Sequence, residues 1–80
     1  MKLPRDLSGV ELAKALSRIG YRITRQTGSH ARLTRDAPFQ HHITIPAHDP
    51  LKVGTLSAIL SDVAGNLKVS REDLIRQLFY

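Results

Sequence analysis

Apolar residues recur along this chain with two periods, and the changes of period mark out its elements. Leu12, Leu16 and Ile19 stand at i, i+4 and i+7 with Ala13 beside them, while Glu11, Lys14 and Arg18 take the opposite side. That spacing predicts an amphipathic helix. Ser8-Gly9-Val10-Glu11 has the form of a capping box, a hydroxyl for one orphan amide and a carboxylate three residues on for another. Gly20 provides the stop.

From Tyr21 the period drops to two. Tyr21 and Ile23 alternate with Arg22, Thr24 and Gln26; after Thr27-Gly28-Ser29, Ala31 and Leu33 alternate with His30, Arg32 and Thr34. This predicts a hairpin. Asp36-Ala37-Pro38 has turn chemistry, and Gln40 to Ile45 reads as a third strand closed by Pro46, with Ile43 and Ile45 on one face. With the apolar residues inward, the open face of such a sheet collects Arg22, Thr24, Gln26, His30, Arg32, Thr34, Gln40, His42 and Thr44. Helical spacing returns in Val53, Leu56, Ile59, Leu60 and Val63, with Gly65-Asn66 as the expected end. Ser70 then caps a last helix whose apolar side is Leu74, Ile75, Leu78 and Phe79, with Asp73 in its first turn. The expected fold class is α+β: a two-layer αβββα(α) sandwich, a three-stranded antiparallel sheet with its helices on one face.

Length limits how this pattern can be divided. Eighty residues without repeats or a linker are too few for two cores, so residues 1–80 are expected to form a single domain. A hydrophobic fraction of 41% lies above that of disordered chains. There is no cysteine, which removes disulfides, thiolate zinc sites and thiol nucleophiles and fits a reducing compartment. No apolar run approaches the ~20 residues that span a bilayer, and Met1-Lys2-Leu3-Pro4-Arg5-Asp6 has no apolar signal core. No membrane association and a cytoplasmic location are therefore expected.

Charge changes the picture more than composition does. Residues 1–35 carry 8 basic and 2 acidic side chains, 8 − 2 = +6, whereas residues 36–80 carry 4 and 5, 4 − 5 = −1. A positive potential confined to one half of a small domain suits a polyanion binder, although a basic surface also serves solubility alone. A helix rich in basic residues, as a DNA-reading helix would be, is absent from the pattern.

The common catalytic signatures, GxxxxGK, GxGxxG, HExxH and GxSxG, do not occur, which leaves four histidines. His30 follows Gly28-Ser29 at the tip of the basic hairpin, phased to the open face with Arg32. An imidazole has an ordinary pKa of about 6.5 and can move the proton of an RNA 2′-hydroxyl. Arg22, Arg25, Arg32 and Arg35 are the guanidinium groups available to hold the phosphate and offset its growing charge. Position alone leaves His30 as either this proton-transfer group or a solvated turn residue. His41 phases with Ile43 and is expected half-buried and hydrogen-bonded; His42 faces the open side, as an auxiliary group or a spectator. His48, in the loop after Pro46, either orders backbone or touches substrate. No spacing of these residues matches a recognised metal site, so neither metal nor cofactor is expected.

Two blocks carry a resemblance. Ser8-Gly9-Val10-Glu11-Leu12 through Gly20-Tyr21 and Gly28-Ser29-His30 form one; Ile45-Pro46-Ala47-His48, Lys52-Val53-Gly54-Thr55-Leu56 and Ile59-Leu60 form the other. In this order and separation they resemble the HicA family of toxin ribonucleases, partners of HicB antitoxins. The resemblance implies a fold like the double-stranded RNA-binding domain and metal-independent cleavage of mRNA, with inhibition of translation and growth. By position it makes His30 the catalytic residue. Arg22, Arg25, Ser29, Arg32, Arg35 and Lys52 are then the expected RNA-binding residues, with His42 and His48 as possible auxiliaries. The expected partners are RNA and a HicB-like antitoxin that covers the His30 hairpin. The class that competes with it is a non-catalytic RNA-binding module of the same fold, or an inactivated toxin.

Overall fold

The computed structural model describes residues 3–80; Met1 and Lys2, which entered the reading of the amino terminus, lie outside the described residues. Six elements follow in the expected order: α1 Gly9–Ser17, β1 Arg22–Thr27, β2 His30–Arg35, β3 His41–Pro46, α2 Val53–Leu67 and α3 Arg71–Phe79. The strands form one antiparallel sheet in the order β1-β2-β3, so β2 is central and β1 is an edge. With α1 and α2 against the sheet and α3 packed on those two helices, the molecule is the expected α+β sandwich, consistent with the double-stranded RNA-binding type.

Local chemistry starts and stops the helices. The Ser8 Oγ accepts from the Glu11 N–H at 3.1 Å and the Glu11 carboxylate accepts from the Ser8 N–H at 3.0 Å, a complete capping box. Those bonds hold the Glu11 carboxyl below its ordinary range. Ser8→Ala should lower stability by about 1 kcal/mol, read as a drop in the thermal unfolding midpoint. At the other end, Gly20 has φ +100° and its N–H reaches the Ser17 carbonyl, while the Tyr21 N–H reaches back to Leu16. This closure needs a left-handed residue, which glycine adopts without cost from a Cβ. Ser70 caps α3 through the Asp73 N–H, as expected.

Leu12, Ala15 and Leu16 of α1 face Leu33, Ile43 and Ile45 of the sheet, and Leu60, Val63, Leu74 and Leu78 complete the core. Ala15 replaces the expected Ala13, which stays partly exposed, as does Ile19. Val53, expected on the buried stripe of α2, is 79% exposed. Its place is taken by Leu51, buried in the preceding loop and fixed by an N–H bond to the Leu7 carbonyl. Helix α2 also runs through Gly65-Asn66, expected as its end, and stops at Lys68 in the left-handed conformation. The Val69 N–H bonds the Ala64 carbonyl there, and Leu67 and Val69 pack against the core. Burial of those two side chains offsets a cost of roughly 1 kcal/mol for a left-handed residue with a Cβ.

Candidate nucleic-acid interface

The hairpin that presents His30 turns on two residues, Gly28 and Ser29, between the paired Thr27 and His30. Gly28 has φ +55°, and a Cβ built there meets nothing within 4 Å, so the requirement for glycine is conformational. The Ser29 carbonyl accepts from the Ala47 N–H at 2.6 Å, which ties the tip to the loop after β3. His30 therefore sits at the end of the central strand, opposite Pro46 on one side and Thr27 on the other. Its side chain is exposed, and among the described residues its ring has no hydrogen-bond partner.

A β-bulge decides which arginines join it. Ile23 pairs with Leu33, but the next pair is Arg25 with Arg32, leaving Thr24 as an extra residue in β1. One extra residue reverses the side-chain phase beyond it. Strict alternation would put Gln26 on the open face and Arg25 beneath the sheet; the bulge exchanges them. Arg25, Thr27, His30, Arg32 and Thr44 then line a shallow open-face pocket of about 220 Å³. Gln26 instead lines a groove on the helix side, which corrects the expected open face.

Two guanidinium groups directly opposed across strands repel each other. Arg25 and Arg32 are such a pair, and among the described residues neither side chain has a hydrogen bond or ion pair. No carboxylate lines the pocket. Its two cations, imidazole and two hydroxyls have the chemistry to hold an oxyanion and to exchange a proton beside it. Thr27 and Thr44 were not among the expected site residues. The Thr27 position was available from a two-residue turn, since that turn places it opposite His30.

The other expected site residues lie elsewhere. Arg22 is on the open face at the far end of β1, opposite Thr34, and bonds Asp36. That bond is the main reason the Asp36 carboxyl is held below its ordinary range. Arg35 turns to the helix side, where its Nε donates to the Ile19 carbonyl at 2.7 Å and its Nη1 to the Ala37 carbonyl. It is a backbone tie rather than a member of the pocket. His42 faces the open side as expected, but pairs with Thr34, four residues along β2 from His30 and so roughly 13 Å away. Its Nδ1 is 2.8 Å from the Thr34 hydroxyl, which lies 2.8 Å from that of Thr24. The His48 carbonyl accepts from the Gly9 N–H at 2.9 Å while its side chain is exposed; Lys52 is exposed ahead of α2. Neither lines the pocket.

His41 takes the half-buried role expected of it. Its Nδ1 is 2.7 Å from the buried Tyr21 hydroxyl and its Nε2 is 3.2 Å from the Asp62 carboxylate, a chain linking sheet to α2. Burial pushes the Tyr21 hydroxyl up. Among the described residues no three His, Asp or Glu side chains converge as a cation site.

The model of the HicA toxin of bacterial toxin-antitoxin systems matches residues 9–64, from the start of α1 into the last turns of α2. The chain belongs to the HicA family. Neither a curated protein nor a solved structure matches it. As a HicA toxin it is one half of a toxin-antitoxin system and has an antitoxin as partner. The matched span holds the whole sheet, the His30 pocket and the loop that anchors the hairpin tip; α3 follows outside it. Among the described residues of this HicA chain, no helix is long and apolar enough to cross a membrane.

Proposed function

We propose that this HicA toxin is a metal-independent endoribonuclease that cleaves mRNA in the cytoplasm, so inhibiting translation and growth, and that residues 1–80 act as one catalytic domain. The supporting observation is the pocket in which His30 meets the unpaired Arg25 and Arg32 with no carboxylate present. His30 moves a proton of the reaction, accepting it from the attacking ribose 2′-hydroxyl or donating it to the leaving 5′-oxygen. Arg25 and Arg32 hold the scissile phosphate between them and offset the charge that grows on its oxygens. The Thr27 and Thr44 hydroxyls supply further hydrogen bonds to the backbone. Inhibition by a HicB-like antitoxin follows from covering this hairpin, since a strongly basic surface attracts acidic groups and an occluded His30 meets no RNA.

Incubation of the purified protein with a long mRNA in EDTA, read on a denaturing gel, tests this reading. Scission is the expected result. Intact RNA with binding retained would replace it with a non-catalytic binding module or an inactivated toxin. The phosphate assignment has its own check. Arg25→Ala and Arg32→Ala should each reduce the slope of log affinity against log salt, by up to about 0.7, the value for one phosphate contact on a single strand. Arg35→Ala should leave that slope unchanged and lower the thermal midpoint instead, because its guanidinium is spent on backbone carbonyls. An equal slope change in all three variants would remove the pocket's special standing.

A further inference from the structure

The helix layer does not cover the whole inner face of the sheet. Edge strand β1 is exposed along its full length, and Ile23, which points to the helix side opposite Leu33, remains 54% exposed. On α1, Val10 is 63% exposed and Ala13 is only partly buried, so this helix offers a second apolar strip beside the one it buries. Between the two lies a groove of about 580 Å³ whose floor includes Ala31 and Ile45. It runs beneath the hairpin that carries His30 and reaches Pro46 and Ala47, the loop bonded to the hairpin tip.

We propose that this groove receives an amphipathic helix of the antitoxin, apolar side inward and carboxylates toward Lys14. Three observations favour that occupant. The groove is apolar, with small residues such as Ala13 and Ala31 that admit close approach, whereas RNA would need a cationic floor. The charged residues that line it are Lys14 and Arg22, with no carboxylate; the Arg22 guanidinium is turned to Asp36 on the open face, and the Lys14 side chain makes no hydrogen bond or ion pair among the described residues, with only the longer-range attraction of Glu11 on its own helix. A helix laid beside α1 over β1 would fill the vacant place in an existing helix-on-sheet layer, the packing the rest of the molecule uses. The protein partner itself comes with membership of the toxin family. The antitoxin would then hold the hairpin from behind as well as cover His30 from the front.

This inference does not rest on the ribonuclease reading, because the groove and the His30 pocket lie on opposite faces of the sheet. The experiment uses the antitoxin co-expressed with this toxin and purified as the complex. Val10→Glu with Ile23→Glu places charge on two side chains that are already exposed, and Lys14→Glu reverses the rim charge without touching the floor. Each protein is first checked for an unchanged thermal midpoint. The double variant should weaken antitoxin binding about tenfold or more, the loss typical of buried interface anchors. Lys14→Glu should weaken it severalfold in a salt-dependent manner, and RNA cleavage by the free toxin should be unaffected. Amide exchange in α1 and β1 should slow on complex formation. Unchanged affinity in folded variants would overturn the proposal. So would a free wild-type dimer that the double variant dissociates, which would assign the groove to a second copy of this chain.

Discussion

His30→Ala is expected to lower the rate of RNA cleavage by about 10² to 10⁴, the contribution of one well-placed acid or base, and to abolish growth inhibition with it. The structure makes this a clean substitution. His30 is exposed, bonds no other side chain among the described residues and contributes nothing to the core. Its removal therefore leaves the thermal midpoint near that of the wild type. RNA binding should persist, since Arg25 and Arg32 remain opposed in the pocket. The measurement is single-turnover cleavage of a long mRNA in EDTA, with affinity measured at two salt concentrations on the same preparations. A folded His30→Ala protein that cleaves at the wild-type rate would take His30 out of the mechanism. His42→Ala is the informative companion. At roughly 13 Å along the strand it is too far to share a proton with His30, so a rate within a few-fold of wild type is expected.

The largest expected effect on stability comes from one methyl group. In an open helical position, alanine for glycine gains up to about 1 kcal/mol. At Gly9 the sign reverses. A Cβ there would lie 2.1 Å from the Pro46 carbonyl oxygen, 3.1 Å from its carbon and 3.3 Å from the Ala47 Cα, all backbone atoms that cannot rotate aside. The Gly9 N–H also donates to the His48 carbonyl at 2.9 Å, so moving the helix away weakens that bond too. Overpacking of this kind costs 1–3 kcal/mol; we expect a net loss of about 2 kcal/mol for Gly9→Ala. For a domain of this size that lowers the midpoint by roughly 8–16 °C. Gly65 supplies the control, because it lies inside α2 with nothing within 4 Å of its Cβ position. Gly65→Ala should raise the midpoint by a few degrees. If Gly9→Ala proved as stable as wild type, the close approach of α1 to the loop after β3 would be wrong. The anchoring of the hairpin tip would then need another account, since Ala47 of that loop holds Ser29.

Features that depend on residues within one turn or one hairpin were legible in the sequence. The capping box, the Gly20 stop, the Gly28-Ser29 turn and the order αβββαα are local, and each follows from spacing and residue type over a few positions. His41 was legible for the same reason, as alternation with Ile43 fixes its side of the strand. His30 was brought to the open face by its phase from Leu33 and singled out by the Gly-Ser-His block. What surrounds His30 was not legible. Arg25 enters its pocket, and Gln26 leaves it, through an extra residue at Thr24 that only pairing with β2 defines. A bulge reflects competition between two strands for register, and no single strand's pattern contains it. Burial was the other decision left to tertiary structure. Ile23 points inward as its phase predicts and stays exposed because α1, although it approaches β1, does not cover it there, while Arg35 points to the same side and is consumed by two carbonyls. Periodicity assigns a side chain to a face; whether that face is covered, and by what, depends on elements distant in the chain.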